Sequence, residues 1–122
     1  MNRWNIPVWL AQHVIESDRR CVYCNVSFET DTATRGNRPS WEHIINDARI
    51  ITAENIARCC ISRNASKGSR DLAVWIESRY CVSRGITVAA VAPIIKKALS
   101  RALHGQIDRG VGFDQGVAIQ DD

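Results

Sequence analysis

The sequence predicts a small α+β domain, mostly helical, whose core is a hairpin followed by a helix, flanked by N- and C-terminal helices. Three observations lead there. The stretch SWEHII, residues 40–45, alternates along the chain and is rich in Trp and Ile, which favour pleated backbone. Downstream, Thr52 has the character of a helix N-cap, and Gly68 is placed to end the helix it would begin. Apolar residues recur at helical spacing near both ends of the chain. At 122 residues there is room for one domain, taken as 1–104, with a flexible tail over 105–122 where glycines, scattered apolar residues and a terminal Asp pair lie.

Asn5-Ile-Pro7 opens the first helix, because proline suits the first helical turn, and Ile6, Trp9, Leu10, His13 and Val14 give it one apolar face. On that face His13 reads as a packed histidine rather than a ligand. Cys21-Val-Tyr-Cys24 forms a knuckle, with Val26-Ser-Phe28 as a short strand beneath it. Residues 29–39, ETDTATRGNRP, are polar with Gly and Pro and read as a mobile loop, in which Arg35 and Arg38 are candidates for contacts to a polyanion.

The first strand, 40–45, carries Glu42 and His43. Asn46-Asp-Ala turns the chain, and Arg49-Ile-Ile51 returns as the second strand. From Thr52 a helix runs to Lys67 and carries Asn55, Cys60, Arg63 and Asn64. A further helix over 71–80 presents Leu72, Trp75, Ile76 and Tyr80 to the first helix, with Cys81 a buried thiol at its end. Thr87 caps a last helix reaching Leu103, kinked at Pro93, with Val88, Val91, Ala92, Ile95, Leu99 and Leu103 buried and Lys96, Lys97 and Arg101 opposite. His104 suits the C-terminal end of that helix.

The order Cys-x-x-Cys, then Glu-His, then Asn, then Cys, then Asn-x-x-Lys-Gly, over residues 19–70, resembles the HNH endonucleases of the ββα-metal class. Singly these pieces are common; as an ordered set at this spacing they are specific. The resemblance implies a nuclease that hydrolyses phosphodiester bonds, most naturally of double-stranded DNA. His43 matches the general base and Glu42 the acidic metal ligand, where Asp is commoner in the family. Asn55 matches the residue that ties the inter-strand loop, Asn64 the second metal ligand, and Lys67 a basic residue beside the phosphates.

Independently of the resemblance, a carboxylate plus an amide oxygen suits a hard cation such as Mg²⁺ or Mn²⁺, and an imidazole titrates where an attacking water must lose its proton. The alternative is a non-catalytic nucleic-acid-binding module of the treble-clef kind. Arg35, Arg38, Arg63, Lys67 and Arg70 would meet the backbone in either case.

Cys21, Cys24 and Cys60 supply three ligands of a structural zinc site, and the position for a fourth holds Arg63. Three outcomes are open: a three-cysteine site completed by water or a distant side chain such as Cys81 or His13, recruitment of Cys59, or a metal-free cluster packed as small apolar groups. Five cysteines in a knuckle pattern, rather than paired for disulfides, suit a reducing compartment, so a cytoplasmic protein is expected. MNRWNIPVW lacks the apolar core of a signal peptide, and no stretch has the length of a membrane span. The net charge of +3 permits a nucleic-acid partner without requiring one.

Overall fold

The computed structural model describes the backbone of residues 4–112 and the side chains of residues 4–102. Those residues form a small α+β domain with five helices and a two-stranded antiparallel hairpin: α1 Val8–Ser17, β1 Pro39–His43, β2 Ile56–Cys60, α2 Ile61–Lys67, α3 Leu72–Trp75, α4 Arg79–Ser83 and α5 Pro93–Gly112. No helix among the described residues is long and apolar enough to cross a membrane.

The hairpin pairs Pro39 with Cys60, Glu42 with Ala57 and His43 with Ile56. The second strand is therefore 56–60, not the expected 49–51. Arg49 is instead held in a turn, where its backbone N–H and its guanidinium both donate to the Asp47 carboxylate. Thr52 opens a single turn, its carbonyl accepting from the N–H groups of Asn55 and Ile56, and that turn leads into β2 rather than a helix. The expected helix 52–67 keeps only its last part, and Gly68 does end it. At φ 51° Gly68 sits in backbone that a Cβ would strain, and its N–H donates to the Asn64 carbonyl.

Two apolar clusters flank the sheet. Ile6, Leu10 and Val14 pack on Ile56, with Trp41 and Ile51 at the margin. The larger cluster joins the knuckle (Cys21, Val22, Tyr23) to Cys59, Cys60, Trp75, Ile76, Cys81 and Ile95. Trp9 and His13 do not join the α1 stripe: Trp9 is 65% exposed, because Pro7 delays the helix to Val8 and only Ile6, Leu10 and Val14 turn inward. Residues 71–80 break into α3 and α4 at Ser78, whose hydroxyl caps α4 by accepting from the Cys81 N–H. Their apolar side meets the knuckle and α5 rather than α1.

Pro93 opens α5 instead of kinking a longer helix, and Thr87 caps only a turn, its hydroxyl accepting from Ala90 N–H. Val26-Ser-Phe28 makes one isolated bridge, Arg20 with Ser27, and no strand. Since α5 continues to Gly112, the chain stays helical beyond 104; the rest of the expected tail, 113–122, and the side chains of Leu103 and His104 lie outside the described residues.

Candidate functional site

Strand alternation sends adjacent side chains to opposite faces. On β1, Ser40 and Glu42 face α2, while Trp41 packs toward the α1 cluster and His43 meets Trp4. The helix reaches back onto this strand twice, one turn apart. Asn64 donates through Nδ2 to Ser40 Oγ at 2.9 Å and to the Trp41 carbonyl at 3.1 Å. Lys67 donates through Nζ to the Ile44 carbonyl at 3.1 Å and lies 3.1 Å from Glu42 Oε2. The same carboxylate accepts a short hydrogen bond from the Tyr23 hydroxyl. Lys67 is 1% exposed and Glu42 4%, so this is an ion pair taken out of water. Burial pushes the Tyr23 phenol well above its ordinary range, and the neighbouring Glu42 charge adds to the effect.

Asn55 precedes β2 instead of lying on a helix, and its side chain binds the loop between the strands. Its Oδ1 accepts from the Ile45 N–H at 2.6 Å, and its Nδ2 donates to the carbonyls of Ile45 and Ile50 at 3.2 and 3.1 Å. It thereby pins the loop that leaves His43. Asn55→Ala leaves one part-buried donor and two acceptors without their partner, so it is expected to cost about 1–2 kcal/mol, read as a lower urea midpoint.

His43 lies at the end of β1, its ring 5.6 Å from that of Trp4 in an edge arrangement. Its Nε2 is buried and makes no hydrogen bond among the described residues. Burial holds the imidazole below its ordinary value, against the opposing pull of the Glu42 and Asp47 carboxylates. The hairpin and α2 thus gather Glu42, Asn64 and Lys67 on one face of β1 and present His43 from the other. The donors fit a hard cation in kind, since Glu42 and Asn64 carry oxygens, but Lys67 already stands as the counter-charge of Glu42.

This geometry corrects two of the expected nucleic-acid contacts. Lys67 is buried on Glu42 and does not face solvent, and Arg63 donates to the Tyr80 hydroxyl at 2.8 Å rather than projecting outward. Arg35, Arg38 and Arg70 are exposed. The loop bearing Arg35 is moored to α2 by Gly36, where a Cβ would lie 2.2 Å from Ser62 Oγ.

The thiols converge as the spacing predicted. The sulfurs of Cys21, Cys24 and Cys60 lie within 4.8 Å of one another, and the cluster can hold a metal ion such as zinc. Three backbone N–H groups, of Tyr23, Cys24 and Cys60, donate to Cys21 Sγ at 3.3–3.5 Å, the kind of support a thiolate needs. Hydrogen bonds from the other two thiols, with help from the Arg63 charge, lower the Cys24 pKa, while hydrogen bonds with Cys24 and Cys60 and burial raise that of Cys21.

Arg63 Nε is buried with no acceptor among the described residues, and its charge is felt by Cys24 and Cys60. A Zn²⁺ with three thiolates carries one net negative charge, which that guanidinium balances without being a ligand. The residues present therefore fit the ion. Cys59 is not a substitute ligand: it points to the opposite face of β2, 3.8 Å from Ser40 Oγ, and burial raises its thiol far above the ordinary range. His13 and Cys81 also stand outside the cluster. Arg63→Cys is expected to bind Zn²⁺ more tightly than the parent and to show a four-thiolate tetrahedral spectrum with Co²⁺; an unchanged spectrum would mean the fourth corner is not at position 63.

No protein-family model, no curated protein and no solved structure matches this chain.

Proposed function

We propose that this chain is a metal-dependent endonuclease of the HNH kind, built on a ββα core of β1, β2 and α2 and acting on DNA. One observation carries the reading. A single hairpin and the helix after it hold the set from Glu42 to Lys67: Asn64 and Lys67 reach from α2 onto β1, and Asn55 clamps the loop that follows His43. In this reading His43 is the general base for the attacking water, and its buried Nε2 must first become accessible to that water. Glu42 and Asn64 are the residues that would hold a Mg²⁺ or Mn²⁺ ion, which supplies charge stabilisation at the phosphate when bound. Arg35, Arg38 and Arg70 neutralise the backbone on either side. The zinc-binding thiols are structural and take no part in the chemistry.

A second reading, a nucleic-acid-binding treble-clef module without catalysis, is favoured by the engagement of Glu42 with Lys67 and Tyr23 and by His43 facing away from them. The nuclease reading requires Lys67 to yield Glu42, and the binding reading does not. Supercoiled plasmid incubated with Mg²⁺ or Mn²⁺, with and without chelator, beside a gel shift in chelator, separates them. Nicked or linear product that depends on the metal supports the nuclease; a salt-sensitive shift with no product in any metal replaces it with the module.

A further inference from the structure

A cavity of about 470 Å³ opens between Ile44 and the loop after β1, the segment entering α3, and α5. Its apolar walls come from Ile45, Leu72 and Ala98, and its charged groups are Arg70 and Arg101, with Asp71 the one carboxylate among its lining residues. Both arginines are exposed, and neither is in any of the ion pairs among the described residues. Asn46 adds an amide at the same wall. A concave site of this size with apolar walls and a few polar groups suits one small planar ligand. Two unpaired guanidiniums add a preference for an anion.

From this arrangement we infer that the cavity is a nucleotide subsite: it takes one splayed nucleotide of a bound DNA strand, base against Ile45, Leu72 and Ala98, flanking phosphates on Arg70 and Arg101. This rests on nucleic acid being the ligand, a premise common to both readings above, and not on cleavage. The apolar walls accept the face of any base, as stacking platforms do. Asn46 offers the donor and acceptor pair that can read a base edge. The 57% exposure of Ile45, a large apolar residue at the cavity wall, has a purpose in this arrangement, since a base would cover it.

The test uses the full chain, a fluorescently labelled 20-mer single strand and the matching duplex, and anisotropy in chelator over a range of salt. Arg70→Ala/Arg101→Ala is expected to weaken binding at least several-fold and to reduce the slope of log K against log salt by about 1.4–1.8, the loss of two phosphate contacts. Ala102→Trp, at an exposed lining position, is expected to weaken binding several-fold with the slope unchanged, because it fills space without removing charge. Arg19→Ala/Arg84→Ala removes the same net charge from residues already engaged with Glu29 and the Tyr80 ring, and should leave the slope near that of the parent.

If the cavity variants bind as the parent does, or the control pair loses as much slope as the cavity pair, the subsite is wrong while nucleic-acid binding stands. If the parent itself binds neither strand nor duplex, the nucleic-acid reading and the subsite fall together. Cleavage of plasmid bears on neither outcome.

Discussion

Lys67→Met should lower the stability of the protein by about 3–5 kcal/mol, a fall in Tm on the order of 10–20 °C, although it replaces a lysine by a side chain of similar length. Lysine is ordinarily a surface residue. Here its ammonium is 1% exposed and lies 3.1 Å from the Glu42 carboxylate, which is itself 4% exposed. Removing the cation leaves a buried carboxylate with only the Tyr23 hydroxyl to answer it, and leaves the Ile44 carbonyl without its donor. Methionine fills the volume, so the loss is electrostatic rather than a cavity. Glu42→Gln in the Lys67→Met background should recover much of the loss, because no unpaired charge remains.

The same variant probes the cation. If Glu42 can hold Mg²⁺ or Mn²⁺, saturating metal should raise the Tm of Lys67→Met more than that of the parent, since in the parent the ion must displace an ammonium. A ligand at 100 times its dissociation constant returns about 2.7 kcal/mol. An equal response in both proteins places the cation elsewhere, and a Lys67→Met protein as stable as the parent removes the ion pair from the stability argument.

The thiol cluster and the ends of several elements were legible because their chemistry is local. Cys21-x-x-Cys24 brings two sulfurs together by its own turn, Gly68 answers a positive φ, and Asn55 can clamp a loop whichever element holds it. Residues 56–60, IARCC, were not legible. A short apolar run fits a buried strand as well as a helix, and the plausible cap at Thr52 tips the reading toward helix. What decides it is long-range pairing with Pro39–His43, which no local signal contains. The strand also explains the adjacent cysteines, since alternation lets Cys60 join the cluster while Cys59 turns to Ser40.

Lys67 was legible as part of a motif but not as buried. Its depth follows from α2 beginning at Ile61, so that Asn64 and Lys67 both descend onto β1. Pro93 shows the same limit: Thr87 caps a turn of its own, and the helix starts only at the proline.

If the chain is the proposed nuclease, His43→Ala should lower cleavage by about 10²–10⁴-fold while leaving Tm and DNA affinity close to those of the parent. The imidazole meets Trp4 edge-on and its Nε2 makes no hydrogen bond among the described residues, so its removal leaves no buried polar group of a neighbour unpaired. The parent's pH profile gives the second mark of a base at this position. Burial lowers the His43 pKa, so the neutral, proton-accepting form persists to lower pH than for a free histidine. The acid limb of kcat/KM should therefore have its midpoint below about 6.5, with activity level through neutrality, and His43→Ala should lack that limb.

The sign for stability is the same. A histidine whose folded pKa lies below its unfolded one binds fewer protons when folded, so its contribution falls as pH drops through 6.5 and below. Cleavage by His43→Ala at the parent's rate, with the acid limb in place, would move the base to another residue.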